Sequence, residues 1–219
     1  MKKEIFLLVS GLWISAAYAQ VPVQSQEPPA VVTEMLEHGE KIVPREEVSH
    51  AQREFLWKGK TLDRSGIIRV ESTPEYIQIP EAFLKHPSLK KLNDPTFVKN
   101  ARKNEYVLVG KLDEGDERLN YVYKTSDSIV ILTVWPYQRQ GVKSTRFEEM
   151  LTQSVHGVPA ALSLSHAPGM KLVLWKMGWK KGGKSYELYL NDNVDSNGKP
   201  EKTPRLIVEI AETLSKQFE

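Results

Sequence analysis

Short apolar segments, separated by glycine, proline and charged residues, dominate the second half of the chain. They are rich in β-branched and aromatic side chains, which predicts strands. Residues 128–135 are almost entirely apolar, as in a strand that is covered on both faces. A hairpin is predicted to turn at Gly182 and Gly183. The strands predicted in this half cover residues 105–109, 118–124, 128–135, 158–165, 170–180 and 184–190.

Two longer helices are predicted from apolar residues at 3.6-residue spacing. Thr145 and Glu148 form a capping-box pattern that begins the first helix, and Gly157 ends it. Thr203 and Pro204 begin the second helix, with the threonine as N-cap and the proline at the first helical position. The apolar stripes are Phe147, Met150, Leu151 and Val155 in the first helix and Leu206, Ile207, Ile210, Leu214 and Phe218 in the second.

The first half of the chain has a weaker pattern. Asp94 and Pro95 predict the start of one further helix, because aspartate is a good N-cap and proline suits the first helical position. Other helices are predicted over 31–40, 49–57 and 81–86, and strands over 66–71 and 75–79. The inner faces of two of these helices are predicted to be Ala51, Phe55 and Leu56 in one and Phe97, Val98 and Ala101 in the other.

This order of elements predicts an α+β fold, a mainly antiparallel sheet with helices packed on it. Short connections favour antiparallel pairing of neighbouring strands. The chain is predicted to divide into a signal peptide (1–19), a flexible N-terminal segment (20–45), a mixed helix and strand region (46–104) and an α+β domain (105–219). Residues 31–104 fit either a separate domain or an extension of the second half.

The first residues have the composition of a secretory signal peptide. A charged start is followed by an apolar run over 5–17, and Ala17 and Ala19 place small residues at a cleavage site before Gln20. An uncleaved membrane anchor is the alternative, but a span needs roughly 20 apolar residues. We therefore expect cleavage after Ala19 and a soluble protein in the periplasm of a Gram-negative bacterium.

Overall charge and cysteine content exclude several classes of function. The formal net charge is +2 and falls to +1 once residues 1–19 are removed. This balance argues against nucleic-acid binding, for which an excess of positive charge supplies the affinity. The chain has no cysteine, which excludes disulfides, cysteine nucleophiles and the acylation of a lipoprotein.

The histidines and serines form no recognisable catalytic or zinc motif. The five histidines, scattered along the chain without metal-ligand spacing, are His38, His50, His86, His156 and His166. Ser163, Ser165 and His166 bring the right residue types together, but Ser165 and His166 would point to opposite faces of a strand. We therefore predict no metal, no cofactor and no catalytic residue.

Two acidic features have simple structural interpretations. Residues 193–198 resemble the start of a calcium loop, but the first position is asparagine and the twelfth is Pro204, which has no carboxylate. A polar turn before the last helix explains them equally well. Residues 113–117 and the pair Glu148 and Glu149 could in principle hold a general acid and base. A surface turn and a helix cap are the simpler interpretations.

Residues 171–184 form the most suggestive segment, with five lysines, two tryptophans and no acidic residue. On a strand, Trp175, Met177 and Trp179 share one face, while Leu172, Leu174, Lys176 and Lys180 share the other. One interpretation is a basic hairpin with an aromatic base that binds a partner. The other is a core strand whose lysines surround a solvated turn. The candidate binding residues are Lys171, Lys176, Trp179, Lys180, Lys181 and Lys184.

The sequence favours a non-enzymatic protein that binds another protein of the bacterial envelope, as an inhibitor, an immunity-type partner or an accessory subunit. Local charge clusters on a near-neutral chain suit steering toward one complementary surface. One alternative is a module for anionic envelope glycan or lipid that uses the same hairpin. An unrecognised hydrolase, with a site built from distant segments, is the third hypothesis.

Overall fold

The computed structural model describes residues 40–99, 104–115, 117–136 and 144–218. The strands are β1 Glu40–Val43, β2 Lys60–Leu62, β3 Ile68–Glu71, β4 Lys90–Lys99, β5 Glu105–Asp113, β6 Leu119–Lys124, β7 Ile129–Trp135, β8 Ser144–Phe147, β9 Gln153–Val155, β10 Val158–His166, β11 Leu172–Lys181 and β12 Lys184–Asn193. The helices are α1 His50–Trp57, α2 Pro74–Ile77, α3 Ile79–Leu84 and α4 Pro204–Ser215. Short 3-10 turns cover Arg45–Glu47, Glu148–Met150 and Lys216–Phe218. The helix predicted over 31–40 lies outside the described residues, except for Glu40, which begins β1.

One large sheet contains strands from both halves of the chain. Its order is β2-β3-β10-β11-β12-β7-β6-β5-β4, and β9 pairs with β10 beside this path. β3 and β10 are parallel, and the other described pairs of this sheet are antiparallel. β1 and β8 form a separate parallel pair. The predicted α+β class with a mainly antiparallel sheet is confirmed at this level.

Apolar cores lie on both faces of the sheet. Successive strand residues point to opposite sides, so Trp175 and Leu174 of β11 enter different cores. Trp175 belongs to the larger core, which also contains Ile207 and Leu214 of α4. Leu174 belongs to the second core, which contains Ile77 of α2. We refer to these two sides as the α4 face and the α2 face of the sheet.

The helix predicted over 49–57 is confirmed, although its inner face differs from the prediction. Ser49 caps α1, and its hydroxyl accepts a hydrogen bond from the Gln52 amide at 3.3 Å. Gln52 and Leu56 are the buried residues of this helix, whereas Ala51 is exposed and Phe55 is 51% exposed. The apolar pattern of so short a helix therefore predicted its presence but not its buried face.

The predicted strand over 75–79 is wrong, because this segment forms α2 and the start of α3. Thr73 caps α2 by accepting a hydrogen bond from the Tyr76 amide at 3.3 Å, and Pro74 occupies the first helical turn. Proline has a fixed φ that suits this position. Ile77 is fully buried against the sheet. The helix predicted over 81–86 is confirmed with shifted bounds, as α3.

The helix predicted from Asp94 and Pro95 is also wrong, because both residues lie within β4. The register with β5 shifts between Lys91 and Thr96, so the proline falls in an irregular part of the strand. Proline is tolerated at such places because it has no amide hydrogen to donate. Phe97 is 57% exposed rather than on an inner face. Ala101, which was also predicted to face inward, lies outside the described residues.

The helix predicted over 145–155 is the third error. The segment instead forms β8, a 3-10 turn and β9, because β8 pairs with β1 in parallel. Thr145 lies opposite Lys41, and the Glu148 carboxylate accepts a hydrogen bond from the Arg45 amide at 3.1 Å. Val155 lies in β9, within the larger core. A long-range strand partner therefore outweighs a local capping pattern.

The final predicted helix is confirmed as α4. The Thr203 hydroxyl accepts a hydrogen bond from the Leu206 amide at 3.3 Å, and Pro204 follows the cap. Ile210 and Leu214 are buried on the α4 face of the sheet.

Candidate binding surfaces

The candidate lysines of residues 171–184 lie at three places on the hairpin formed by β11 and β12. Its two-residue turn is Gly182-Gly183, and both glycines have positive φ angles of 57° and 75°, as a tight hairpin turn requires. Lys181 and Lys184 lie directly opposite each other beside this turn. Lys176 lies in the middle of β11, and Lys171 lies before its start, about 35 Å along the strand from the turn.

Trp179 lies in the larger core, and only 2% of its surface is exposed. Its indole stacks on the ring of Tyr186 in β12, with the ring centroids 5.2 Å apart and the planes 6° from parallel. A side chain in this position supports the turn from beneath and does not itself reach a partner's surface.

The lysines nearest the turn lie on different faces. Lys181 and Lys184 share the α4 face with Trp179, and the Lys184 ammonium donates a hydrogen bond to the Phe218 carbonyl at 2.7 Å. Lys180 points to the α2 face, opposite Ser185. The end of the hairpin therefore presents positive charge on both sides of the sheet.

Lys176 belongs to an ionic cluster on the α2 face that the sequence analysis did not predict. Its ammonium lies 3.5 Å from the Glu187 carboxylate and 5.2 Å from the centre of the Tyr189 ring. The Tyr189 hydroxyl donates a hydrogen bond to the other oxygen of Glu187 at 2.7 Å. Counting outward from the glycine turn already places Tyr189 opposite Lys176 and Glu187 opposite Gly178, so the register was the available signal.

Burial and this cluster shift the titration of two groups. Burial alone would lower the pKa of the Lys176 ammonium, but the carboxylate of Glu187 raises it well above its ordinary value. Burial, followed by the charge of Glu187, raises the pKa of the Tyr189 hydroxyl. Lys176 therefore stays cationic and Tyr189 stays neutral throughout the physiological range. A lysine held in this form is a charged contact and a poor nucleophile.

A second group of charges ties the segment after β12 to the sheet. Asp192 is 2% exposed, and its carboxylate accepts hydrogen bonds from the Trp175 indole at 3.1 Å and from the Lys202 amide at 2.8 Å. The Lys202 ammonium lies 3.2 Å from Asp192 and 2.7 Å from Asp127. These groups satisfy one another, so we assign them a structural role.

A groove of about 430 Å³ lies between the end of β4 and α4. One wall carries Lys99 of β4, and the other carries Glu209, Glu212 and Lys216. Glu209 pairs with Arg205 at 3.3 Å. The sequence does not predict this groove, because the pattern from Asp94 onward favours a helix where the structure has the end of β4.

One histidine contacts a serine, which bears on the hydrolase hypothesis. The His156 Nε2 atom lies 3.1 Å from the Ser215 hydroxyl and 3.0 Å from the Glu212 carbonyl. Ser215 is 1% exposed and donates its hydrogen bond to the Ala211 carbonyl at 2.7 Å. A buried hydroxyl that is already engaged with the backbone cannot reach an external substrate, so this contact anchors the end of α4.

The remaining candidates from the sequence occupy structural positions. Ser165 is buried, whereas the neighbouring His166 is exposed on the other face of β10. The Asp195 carboxylate accepts hydrogen bonds from the amides of Asn197 and Lys199, at 2.8 and 2.9 Å. The bond from Lys199 is the main cause of a lowered pKa at Asp195.

The acidic groups outside that turn are also engaged. Asp113 accepts a hydrogen bond from the Gly115 amide at 2.9 Å, as in a surface turn. Glu149 pairs with Arg53 at 3.0 Å and accepts a hydrogen bond from the Trp57 indole at 2.8 Å. Within the described ranges, no three histidine or carboxylate side chains converge in a way that would hold a metal ion.

None of the described helices has the length and apolar character needed to cross a lipid bilayer. No protein family matches this chain. No curated protein and no solved structure matches it either.

Proposed function

We propose that this chain is an exported protein that acts in the bacterial periplasm by binding another protein of the envelope. Residues 1–19 support export, because they have the order of a secretory signal with cleavage after Ala19. In this proposal the protein has no catalytic activity of its own and uses no cofactor. It acts as an inhibitor, an immunity-type partner or an accessory subunit of an envelope assembly.

The observation that carries the proposal is the pair Lys181 and Lys184 beside the hairpin turn. Two lysines directly opposite each other concentrate positive charge at one place, and such a surface attracts carboxylates on a partner. The stack of Trp179 on Tyr186 and the bond from Lys184 to Phe218 fix the turn in place. A rigid charged surface loses little conformational entropy when it binds.

We further propose that helices packed on the sheet support this surface. The apolar stripe of α4, with Ile207 and Leu214 in the larger core, favours that arrangement. The turn following α4 contains Phe218, the acceptor of the Lys184 hydrogen bond. In this proposal α4 supports the end of the hairpin on the α4 face, and the partner approaches the lysines from the solvent.

Binding of an anionic envelope glycan or lipid is the alternative use of the same lysines. Sugar recognition by stacking needs an exposed aromatic face, and Trp179 offers only 2% of its surface. Phosphate groups of a lipid or polymer would still be attracted to the lysines. The geometry favours the protein partner, and the experiment below separates the two.

Affinity capture from a bacterial envelope extract tests the proposal. Residues 20–219 carrying an N-terminal tag would be used at low and moderate salt, and bound protein, glycan and lipid would be analysed. One stoichiometric protein is expected. The double variant Lys180→Gln and Lys181→Gln should weaken its binding by roughly three- to tenfold and flatten the salt dependence, because each surface charge contributes a modest amount.

The matched control replaces Lys58 and Lys85, which are exposed and lie outside the hairpin, by glutamine. This control should bind like the parent chain. Retention of glycan or lipid without any protein would move the function to the alternative. Equal loss of the protein partner in both double variants would remove the hairpin from the proposal.

A further inference from the structure

The large sheet ends in two edge strands of unequal length. β2 has three residues and β4 has ten, and within the described ranges β4 pairs with β5 alone. Backbone amide and carbonyl groups on the outer side of an edge strand can pair with an incoming extended chain. The segment Thr96–Lys99 returns to regular register with β5 after the irregularity, so its outer side is the better template.

The charges on β4 discriminate between possible incoming strands. Lys90, Lys91 and Lys99 are exposed along this strand, and Asp94 is its one acidic residue. Lysines on an edge oppose pairing between two copies of the same chain. The same lysines attract a strand that carries carboxylates. The edge is therefore protected against self-association and remains suited to an acidic segment.

Phe97 supplies an apolar contact beside this edge. It is 57% exposed, the largest exposed fraction among the bulky apolar residues of the described chain. It lies opposite Val107 of β5, so its position on the sheet is fixed by the strand register. An aromatic side chain at a strand edge pairs favourably with a β-branched residue on a neighbouring strand.

The groove at the end of β4 carries charges of both signs. Lys99 and Lys216 face it from opposite walls, and neither forms an ion pair with another described residue. Glu209, which pairs with Arg205, and Glu212, which accepts a hydrogen bond from the His156 amide at 3.2 Å, line the same groove. Lys99 belongs to β4 itself, so its ammonium lies beside any strand that pairs with this edge.

We propose that β4 accepts an extended acidic segment of a partner protein as an added strand. An apolar side chain of the segment packs on Phe97, and a carboxylate pairs with Lys99 at the rim of the groove, on the side that Lys216 also faces. This inference rests on the proposed function as a protein-binding protein and adds a contact surface distinct from the hairpin turn. It assigns the partner a specific chemistry, namely an unpaired strand-forming segment with alternating acidic and apolar residues.

Titration with three labelled peptides tests this inference on residues 20–219. The first peptide has eight residues that alternate glutamate with valine or threonine. The second has lysine in place of glutamate, and the third is the acidic peptide with alternate backbone amides methylated. We expect the acidic peptide to bind, and the other two to bind at least about tenfold more weakly, because one loses charge attraction and the other loses backbone pairing.

Variants of the chain locate the bound peptide. Lys99→Glu together with Lys216→Glu should weaken the acidic peptide at least about tenfold, because both attractions become repulsions. Phe97→Ala should weaken it by roughly threefold through lost apolar contact. Lys58→Glu together with Lys85→Glu is the matched control and should leave binding unchanged. Hydrogen exchange in the complex should show protection of the amides of β4.

Three outcomes of the peptide experiment would overturn the inference. The first is no binding of the acidic peptide up to about 1 mM, the weakest affinity that such a titration measures. The second is equal binding of all three peptides, and the third is protection confined to the hairpin. If the envelope partner is still captured by the Lys99 and Lys216 variant, the edge-strand inference fails while the proposed function stands. If the peptide binds normally but no partner protein is ever captured, the proposed function fails first.

Discussion

At the scale of single residues, the ionic cluster of Lys176, Glu187 and Tyr189 lies on two central strands. Such positions are usually apolar, and a half-buried charge is tolerated there only when it is paired and hydrogen-bonded. The Glu187 carboxylate satisfies both neighbours at once. Protonation of Lys176 and Tyr189 is therefore linked to the stability of the fold, and we expect the effect in alkaline solution.

Stability should fall at high pH through this cluster. The pKa values of Lys176 and Tyr189 are raised in the folded protein, so the folded form holds both protons more tightly than the unfolded chain. In the unfolded chain, lysine and tyrosine side chains titrate at about pH 10. Above that pH the unfolded chain loses protons first, and the free energy of unfolding decreases as pH rises.

Urea denaturation at pH 8, 9.5 and 11 measures this effect. The parent chain should lose stability between pH 9.5 and 11, and Tyr189→Phe should lose less over the same interval because one of the two titrating groups is gone. Parallel profiles for the parent chain and the variant would show that Tyr189 does not contribute to the alkaline loss.

At the scale of elements, α4 depends on its first turn. The Thr203 hydroxyl is the cap of this helix, and the carbonyl of Phe218 in the following turn holds Lys184. Thr203→Ala should reduce the free energy of unfolding by about 1 kcal/mol, because an amide of the first turn loses its partner. Thermal or urea unfolding of both proteins measures the difference.

Thr213→Ala is the control for that substitution. Thr213 lies inside α4, and its hydroxyl donates to the Glu209 carbonyl at 2.6 Å. Alanine has a higher helix propensity than threonine, which offsets the lost hydrogen bond. Its effect on stability should be within about 0.5 kcal/mol. An equal loss in both variants would mean that the cap contributes nothing specific.

The elements that were predicted correctly are those whose signals are local or strongly apolar. The hairpin could be predicted from its glycine pair, and α4 from a cap followed by a long apolar stripe. Asp94 and Thr145 also resemble caps, but β5 and β1 recruit their segments into strands. β1 is distant in sequence from Thr145, so no local pattern near that residue reveals its partner. β5 follows β4 directly, but the cap-like Asp94 and Pro95 lie in the irregular part of β4, where they hide the strand pattern.

The candidate binding surfaces could likewise be predicted only in part. The register of the hairpin, counted from Gly182 and Gly183, already places Lys181 opposite Lys184 and Lys176 opposite Tyr189. The groove beside Lys99 could not be predicted, because it exists only where β4 ends near α4. The burial of Trp179 could not be predicted either, since an aromatic residue on a strand is equally compatible with a core and with a binding face.

At the scale of the whole molecule, both halves of the chain contribute to one sheet. β3 pairs in parallel with β10, and β4 pairs with β5. Ile67 belongs to the larger core, and Ile77 and Leu89 belong to the second core. Removing the first half would expose both cores and create a new edge along β5.

A fragment of residues 105–219 should therefore fail to fold cooperatively. Residues 40–219 are expected to unfold in one transition, whereas the fragment should show a broad transition and bind a dye that reports exposed apolar surface. Circular dichroism and dye fluorescence measure both. A sharp transition of the isolated fragment would show that residues 105–219 form an independent domain.

The hydrogen bond between Lys184 and the Phe218 carbonyl has a consequence for how this protein is labelled. It keeps the last described turn beside the hairpin turn, and the Phe218 ring is anchored on Tyr121 with centroids 4.4 Å apart. A small fluorophore attached after this turn would sit next to the lysines and respond when they are covered. A bulky affinity tag at the same place would screen them, so the side on which a tag is fused decides whether an assay reports the contact or prevents it.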